Sequence, residues 1–335
     1  MSNHHYSRRK FLAASAAGLA SAASGFAPIV LAQDNIRTAR VVVGFPAGGG
    51  TDVLARLIAE RLRGRYADAV IVENRAGAGA RIGIDYVNKA DADGSVMLFT
   101  PDFPMTVYPH SFKNLRYNPL RDFTPVARCA KSMLVMSGGP MLPDSVRTVA
   151  DFVRWAKANP KQSLAGDTGA GGTPHFVGVM VSRAAGFELT PVHYKGGAPA
   201  LQALMGGQIP VSVNPIGEIL PHAKSGKIRV LATTSAQRTR FLPDTPTMAE
   251  SGYKDIVIEG WLGFFVSSKT PKATVAKLSN AVREALESEE INARFKKFGN
   301  VAAYLNPADT LALLKADIER WGPIVKASGF SAEDS

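Results

Sequence analysis

The chain has 335 residues, 46% of them hydrophobic, one cysteine and a formal net charge of +11. That hydrophobic content suits a soluble globular protein large enough for two lobes, and a lone thiol, Cys129, excludes an internal disulfide. The positive charge favours small anions, but the basic residues are scattered and no nucleic-acid motif accompanies them, which excludes DNA and RNA as partners.

At the amino terminus, Ser7-Arg8-Arg9-Lys10-Phe11-Leu12 reads as a twin-arginine export signal, followed by a small-residue and apolar run to about Leu31. Val30-Leu31-Ala32 fits the small-x-small pattern before a peptidase cut, so residues 1–32 are expected to be removed and the mature chain to begin at Gln33. The run is too rich in Ala, Gly and Ser for a membrane anchor, and no other stretch is long and apolar enough to span a bilayer. No cysteine follows it to carry a lipid. Loss of Arg8, Arg9 and Lys10, with no acid among residues 1–32, leaves 11 − 3, about +8.

The mature chain opens on the β-branched run Val41-Val42-Val43, which the pattern predicts as a buried parallel strand. Val53 to Leu62 carries apolar residues at helical spacing. Between them lies Phe45-Pro46-Ala47-Gly48-Gly49-Gly50-Thr51-Asp52. Glycines at a helix entrance leave backbone N–H groups bare at its positive end, a natural seat for an anion. The same glycines also serve a tight turn with no ligand. A nucleotide P-loop is excluded because no lysine follows Gly50, and a dinucleotide fingerprint because Val53 stands where its third glycine belongs. The turn therefore suits a small carboxylate.

A second strand is expected at Val70-Ile71-Val72, running into Glu73-Asn74-Arg75-Ala76-Gly77-Ala78-Gly79, then a helix from about Arg81 to Lys89. Ser95 to Thr100 gives a third strand, ending at Pro101-Asp102. Strands alternating with helices at this spacing predict a parallel sheet with helices on both faces. The ligand site then lies beyond the carboxyl ends of the strands.

A second α/β set follows. Val149 to Ala158 reads as a helix, and Ser163-Leu164-Ala165 as a strand entering the glycine-rich turn Gly166-Asp167-Thr168-Gly169-Ala170-Gly171-Gly172-Thr173. Pro174 suits the first turn of the next helix, with Thr173 as its cap. Strands are expected at Pro191 to Tyr194, Ile209 to Val213 and Ile228 to Ala232, with helices at Pro199 to Met205 and Gly217 to Ser225. Two sets, each with a glycine-rich helix entrance, suggest lobes that clamp a ligand with two anionic ends. The C-terminal third reads as structural: strand Trp261 to Val266, a helix from Pro271 to about Leu286, and a last helix whose Leu311, Leu314, Ile318 and Trp321 form one apolar face. His175 and His193 lack metal-ligand spacing and are expected on a helix surface and a strand. No Gly-x-Ser-x-Gly elbow marks a hydrolase.

The ordered string Phe45 to Asp52, Val72 to Gly79, Tyr194-Lys195-Gly196-Gly197-Ala198-Pro199-Ala200-Leu201 and Gly206-Gly207-Gln208 resembles a known family. Leu242-Pro243-Asp244-Thr245-Pro246-Thr247 and Trp261-Leu262-Gly263-Phe264 extend the likeness over essentially the whole mature chain. It is similar to the periplasmic solute receptors of tripartite tricarboxylate transporters, also called Bug receptors. The resemblance implies an α/β type 2 periplasmic binding protein with two doubly wound lobes joined by a hinge: lobe 1 from residues 33–140 and 242–335, lobe 2 from 141–241. It implies a monomer without cofactor or catalysis, which holds a small organic acid and hands it to the membrane permease subunits.

In that family one carboxylate is held by backbone N–H groups and water at turns that map here onto Phe45 to Asp52 and onto Ala78-Gly79. The far end of the ligand maps onto Asp167 to Thr173, Lys195-Gly196 and Asn214-Pro215. Relatives often carry Tyr-Gly-Ser where this chain has Gly166-Asp167-Thr168, and Thr100-Pro101-Asp102-Phe103-Pro104 is also unusual. Asp102 and Asp167 put carboxylates near a site for acids, a costly arrangement without a donor or cation. Either the ligand bears an ammonium, amide or hydroxyl group, or both aspartates cap local N–H groups. Two other functions stay open: a same-fold receptor for an ATP-driven importer or sensor, and an exported α/β enzyme, for which cofactor motifs are lacking.

Overall fold

The computed structural model describes residues 36–332; the expected signal segment and the cut before Gln33 lie outside the described residues. Among the described residues ten strands form one continuous sheet. They are β1 (Ile36–Val43), β2 (Ala67–Asn74), β3 (Val96–Pro101), β4 (Phe123–Gly138), β5 (Leu164–Asp167), β6 (Thr190–His193), β7 (Val211–Pro215), β8 (Arg229–Thr233), β9 (Glu259–Ser267) and β10 (Val301–Leu305). The order is β2-β1-β3-β9-β4-β7-β5-β6, with β8 and β10 also paired to β4.

The parallel sheet expected from alternation is found only at the two ends. β1 pairs in parallel with β2 and β3, and β5 with β6 and β7. The middle is antiparallel, because β9 runs against β3 and against β4. The 16-residue β4 has no counterpart in the sequence reading. Residues Phe123 to Met133 pair with β9, whereas Leu134 to Gly138 pair with β7 and β8. One strand thus belongs to both halves, and its pairing with β9 breaks register between Pro125 and Ala127 and between Arg128 and Ala130.

Each half has its own apolar core. In the first, Val41 and Val43 meet Leu54, Ile58 and Leu62 of helix Gly50–Leu62, and Leu278 and Val282 of helix Lys272–Leu286. In the second, Phe152, Phe176, Val177, Val211 and Trp321 pack together. Trp321 belongs to the long last helix, Pro307–Ser328, whose Leu314 is packed in the first half. That helix opens on Asn306, whose side chain accepts from Asp309 N–H at 2.9 Å, and closes on Gly329 at φ +72°. Leu314 and Trp321 of its expected apolar face are fully buried; Leu311 and Ile318 are half-buried.

Where the chain crosses between halves, buried Thr234 pins both crossing segments. Its N–H donates to Leu134 O at 3.0 Å, its Oγ1 donates to Ile258 O at 2.6 Å, and its carbonyl accepts from Ile258 N–H at 2.7 Å. Among the described residues no helix is long and apolar enough to cross a membrane.

Candidate ligand-binding site

The first helix begins at Gly50, three residues earlier than the apolar spacing predicts, because its cap is backbone only: Gly49, extended at ψ 165°, with no side-chain cap. The N–H groups of Gly50 and Thr51 have no partner within the helix. Gly48 takes φ +81°, a conformation that a residue with a side chain adopts at a cost.

Asp52 sits beneath this turn, 2% exposed. Its Oδ2 accepts from Gly48 N–H at 2.9 Å and Arg56 Nε at 3.0 Å, and its Oδ1 from Asn74 Nδ2 at 2.9 Å. Burial pushes its pKa up, but Arg56, the Gly48 N–H and Asn74 outweigh that and hold the carboxyl below its ordinary value. Asp52 is a brace for the turn, ionised in place.

Beyond this turn a cavity of about 320 Å³ opens between the halves. Phe45, Pro46, Ala47, Gly48, Gly49, Gly50 and Thr51 line it from the first half. Asp102 joins them at the end of β3. Thr168, Thr173, Lys195, Gly196 and Pro215 line it from the second half. The volume is that of a small-molecule site.

The remaining residues expected at the site lie outside the cavity wall. Ala78 and Gly79 sit in a run of four positive φ angles, Gly77 to Ala80, and pack on Tyr108: a Cβ on Gly79 would fall 2.3 Å from Tyr108 Oη. Asp167 is 2% exposed and turned inward, accepting from Gly169 N–H at 2.8 Å through Oδ1 and meeting His193 Nδ1 at 2.8 Å through Oδ2. Asp167 thus caps its own turn, and Gly169 itself stays off the wall. Gly171 N–H donates to His175 Nδ1 at 3.2 Å, and Gly172 lies against the Phe103 ring. Asn214 is buried, accepting from Ser212 Oγ at 2.6 Å and donating to Glu218 Oε2 at 3.2 Å.

Three expectations are corrected. Thr173 is the first helical residue and Gly172 the cap, since extended Gly172 precedes helix Thr173–Ala185; the Thr173 Oγ1 is buried without a partner. His175 is buried at 3% exposed, packed against Phe176, His193 and Phe330, and burial pushes its pKa down to about 4. The C-terminal third is more than scaffold, for Gly260, Trp261, Leu262, Phe298 and Asn300 line the cavity.

Glu218 and Asn300 are cavity residues that sequence reasoning missed. Glu218 had a signal: an acid amid Ile216, Ile219 and Leu220, four residues after Asn214. Asn300, in the turn that closes helix Glu289–Lys297, had none, since only tertiary packing brings that turn to the cavity.

Two α/β halves on a shared strand, with a cavity between them walled by helix entrances, define a type 2 periplasmic binding protein. Residues 54–330 match the model of the tripartite tricarboxylate transporter family receptor, and the chain belongs to that family. It is accordingly a periplasmic transport receptor rather than an enzyme. It is 30% identical over 314 residues to protein BugT of Bordetella pertussis, covering 93% of this chain and 96% of that protein. A solved R. palustris protein with adipate superposes with a TM-score of 0.83 at 31% identity, covering 88% of this chain and 98% of the other. A second, MatC of Rhodopseudomonas palustris with bound malate, gives 0.80 at 28% identity, covering 87% and 99%.

Proposed function

We propose that this protein captures a small organic carboxylate between its halves and delivers it to the membrane permease subunits of a tripartite transporter. It works as a monomer, without a cofactor, after export through its twin-arginine signal. The observation that carries this reading is the shared wall: Gly48 to Thr51 from one half, and Thr168, Thr173 and Lys195 from the other, face one cavity of about 320 Å³. The bare N–H groups of Gly50 and Thr51 take a carboxylate as they would any small anion. Solved relatives carrying adipate and malate support the same chemistry. Lobe closure then follows from better contacts in the closed state, with the hinge at Met133–Leu134, where β4 changes partner, and at Ile258–Glu259, where Thr234 bridges the crossing segments.

Thermal unfolding of the purified protein against a panel of mono- and dicarboxylates, amino acids and aromatic acids tests the proposal. A true ligand at a hundred to a thousand times its dissociation constant adds roughly 2.7–4.1 kcal/mol of stability. A panel in which no carboxylate shifts the transition refutes it.

A further inference from the structure

The last helix, Pro307–Ser328, is fastened to one half at its start and to the other at its end. Its first part belongs to the first half. Thr310 Oγ1 accepts from Arg128 N–H at 3.0 Å, Leu314 packs with Val42 and Phe265, and Asp317 Oδ2 accepts from Trp261 Nε1 at 2.9 Å. Its last part belongs to the second half. Trp321 and Val325 are buried with Phe176 and Val177, and Arg183 of helix Thr173–Ala185 donates to Ala327 O. Beyond the closing Gly329, the Phe330 ring lies 4.6 Å from that of His175, on the same second-half helix. The last helix thus crosses between the halves from Asp317 to Trp321.

Its backbone is weakest at that crossing. Pro323 has no N–H, so Glu319 O lacks its helical donor, and the pyrrolidine ring crowds that carbonyl. Gly322 lowers helix stability further through its backbone freedom. No other glycine or proline stands between Ala308 and Ser328. One turn back, Ile318 O accepts from His110 Nε2 at 2.7 Å, a side chain from the segment between β3 and β4. A Cβ on Gly322 would fall 3.2 Å from His110 Cε1, so the glycine is what lets the imidazole close on the helix. Helices bend at prolines and where a side chain reaches into the hydrogen-bond ladder. Here both fall within Ile318 to Pro323.

Resting on the lobe-closure reading above, we propose that Ile318–Pro323 is a third hinge, acting with the crossings at Met133–Leu134 and Ile258–Glu259. An unbroken helix fastened to both halves would be a strut and would oppose their rotation. The weakened turn lets each part of the helix move with the half it packs on, so Leu314 and Trp321 stay buried while the cleft opens and closes.

Double electron–electron resonance on the ligand-free protein tests the proposal, with spin labels at Arg63→Cys and Lys157→Cys, exposed positions on the first and second half. Cys129 is buried and stays unlabelled. The parent should give a broad distribution of distances between the halves. Pro323→Ala restores the N–H and removes the ring, and should roughly halve the width of that distribution. Pro221→Ala is the control: it makes the same change inside helix Ile216–Lys224, which lies wholly in the second half, and should leave the width as in the parent. Equal widths for the parent and Pro323→Ala, or equal narrowing by Pro221→Ala, overturn the third hinge and leave the closure reading intact. A parent held at one narrow distance overturns both.

Discussion

The turns Phe45–Asp52 and Asp167–Thr173 are alike in composition, and each enters a helix of 13 residues capped by a glycine without a side-chain cap. They meet the cavity differently. The first shows it an unbroken run from Phe45 to Thr51, and its acid, Asp52, braces the turn from below. The second is largely plugged: Gly171 and Gly172 press against Ser111, Phe112, Phe330 and Phe103, leaving Thr168 and Thr173 on the wall. Glycine content measures how freely a backbone can turn; only its neighbours decide whether its N–H groups are left for a ligand.

The largest effect should come from deleting one N–H of the open turn. Gly50 is the first helical residue, no atom lies within 4 Å of where its Cβ would be, and Gly49 before it is extended, so Gly50→Pro fits the fold. It removes a charge-assisted hydrogen bond and should weaken carboxylate binding roughly 10- to 100-fold while the melting transition is kept. Gly50→Ala, which keeps the N–H, serves as the control in the same titration. Equal affinity for both variants would mean the first turn is no more open than the second.

Next in size is the bridge between the halves. Thr234→Val removes the bond from Oγ1 to Ile258 O and the one accepted from Leu134 N–H at 3.0 Å, leaving buried backbone groups unpaired. Denaturant unfolding should show a loss of about 1–3 kcal/mol.

A smaller effect, of opposite sign, is expected at the acid that faces the cavity. Asp102 has its pKa raised to about 7, chiefly by burial. Between its unfolded value, about 3.9, and that value the native state holds a proton the unfolded state has lost, so stability falls as pH rises through this window and levels off above it. Asp102→Asn lacks that slope. At pH 8 it should be more stable than the parent by on the order of 1–2 kcal/mol, and at pH 4 the advantage should vanish.

The smallest effect belongs to the plugged turn. Asp167→Asn keeps the bond from Gly169 N–H and should leave ligand affinity within about threefold, well under the change at Gly50. A tenfold loss would place Asp167 in the site and dissolve the contrast between the turns.

Local pattern determined much of this molecule. Val41 to Val43 are buried on both faces and read as a continuous apolar run; helix Val149–Ala158 announces itself through Thr148 and Asp151, which cap each other. Both glycine-rich helix entrances were legible because turn chemistry is written within a few residues. Three-dimensional packing alone decided the antiparallel centre of the sheet, the span of β4 across both halves, and which polar residues line the cavity. Strand direction and pairing join residues far apart in the chain, such as Leu134 with Pro215, and no short-range periodicity encodes them. The same holds for Asp102, Glu218 and Asn300: each is an ordinary polar residue in its own segment, and only the tertiary fold brings all three to the lining of one cavity.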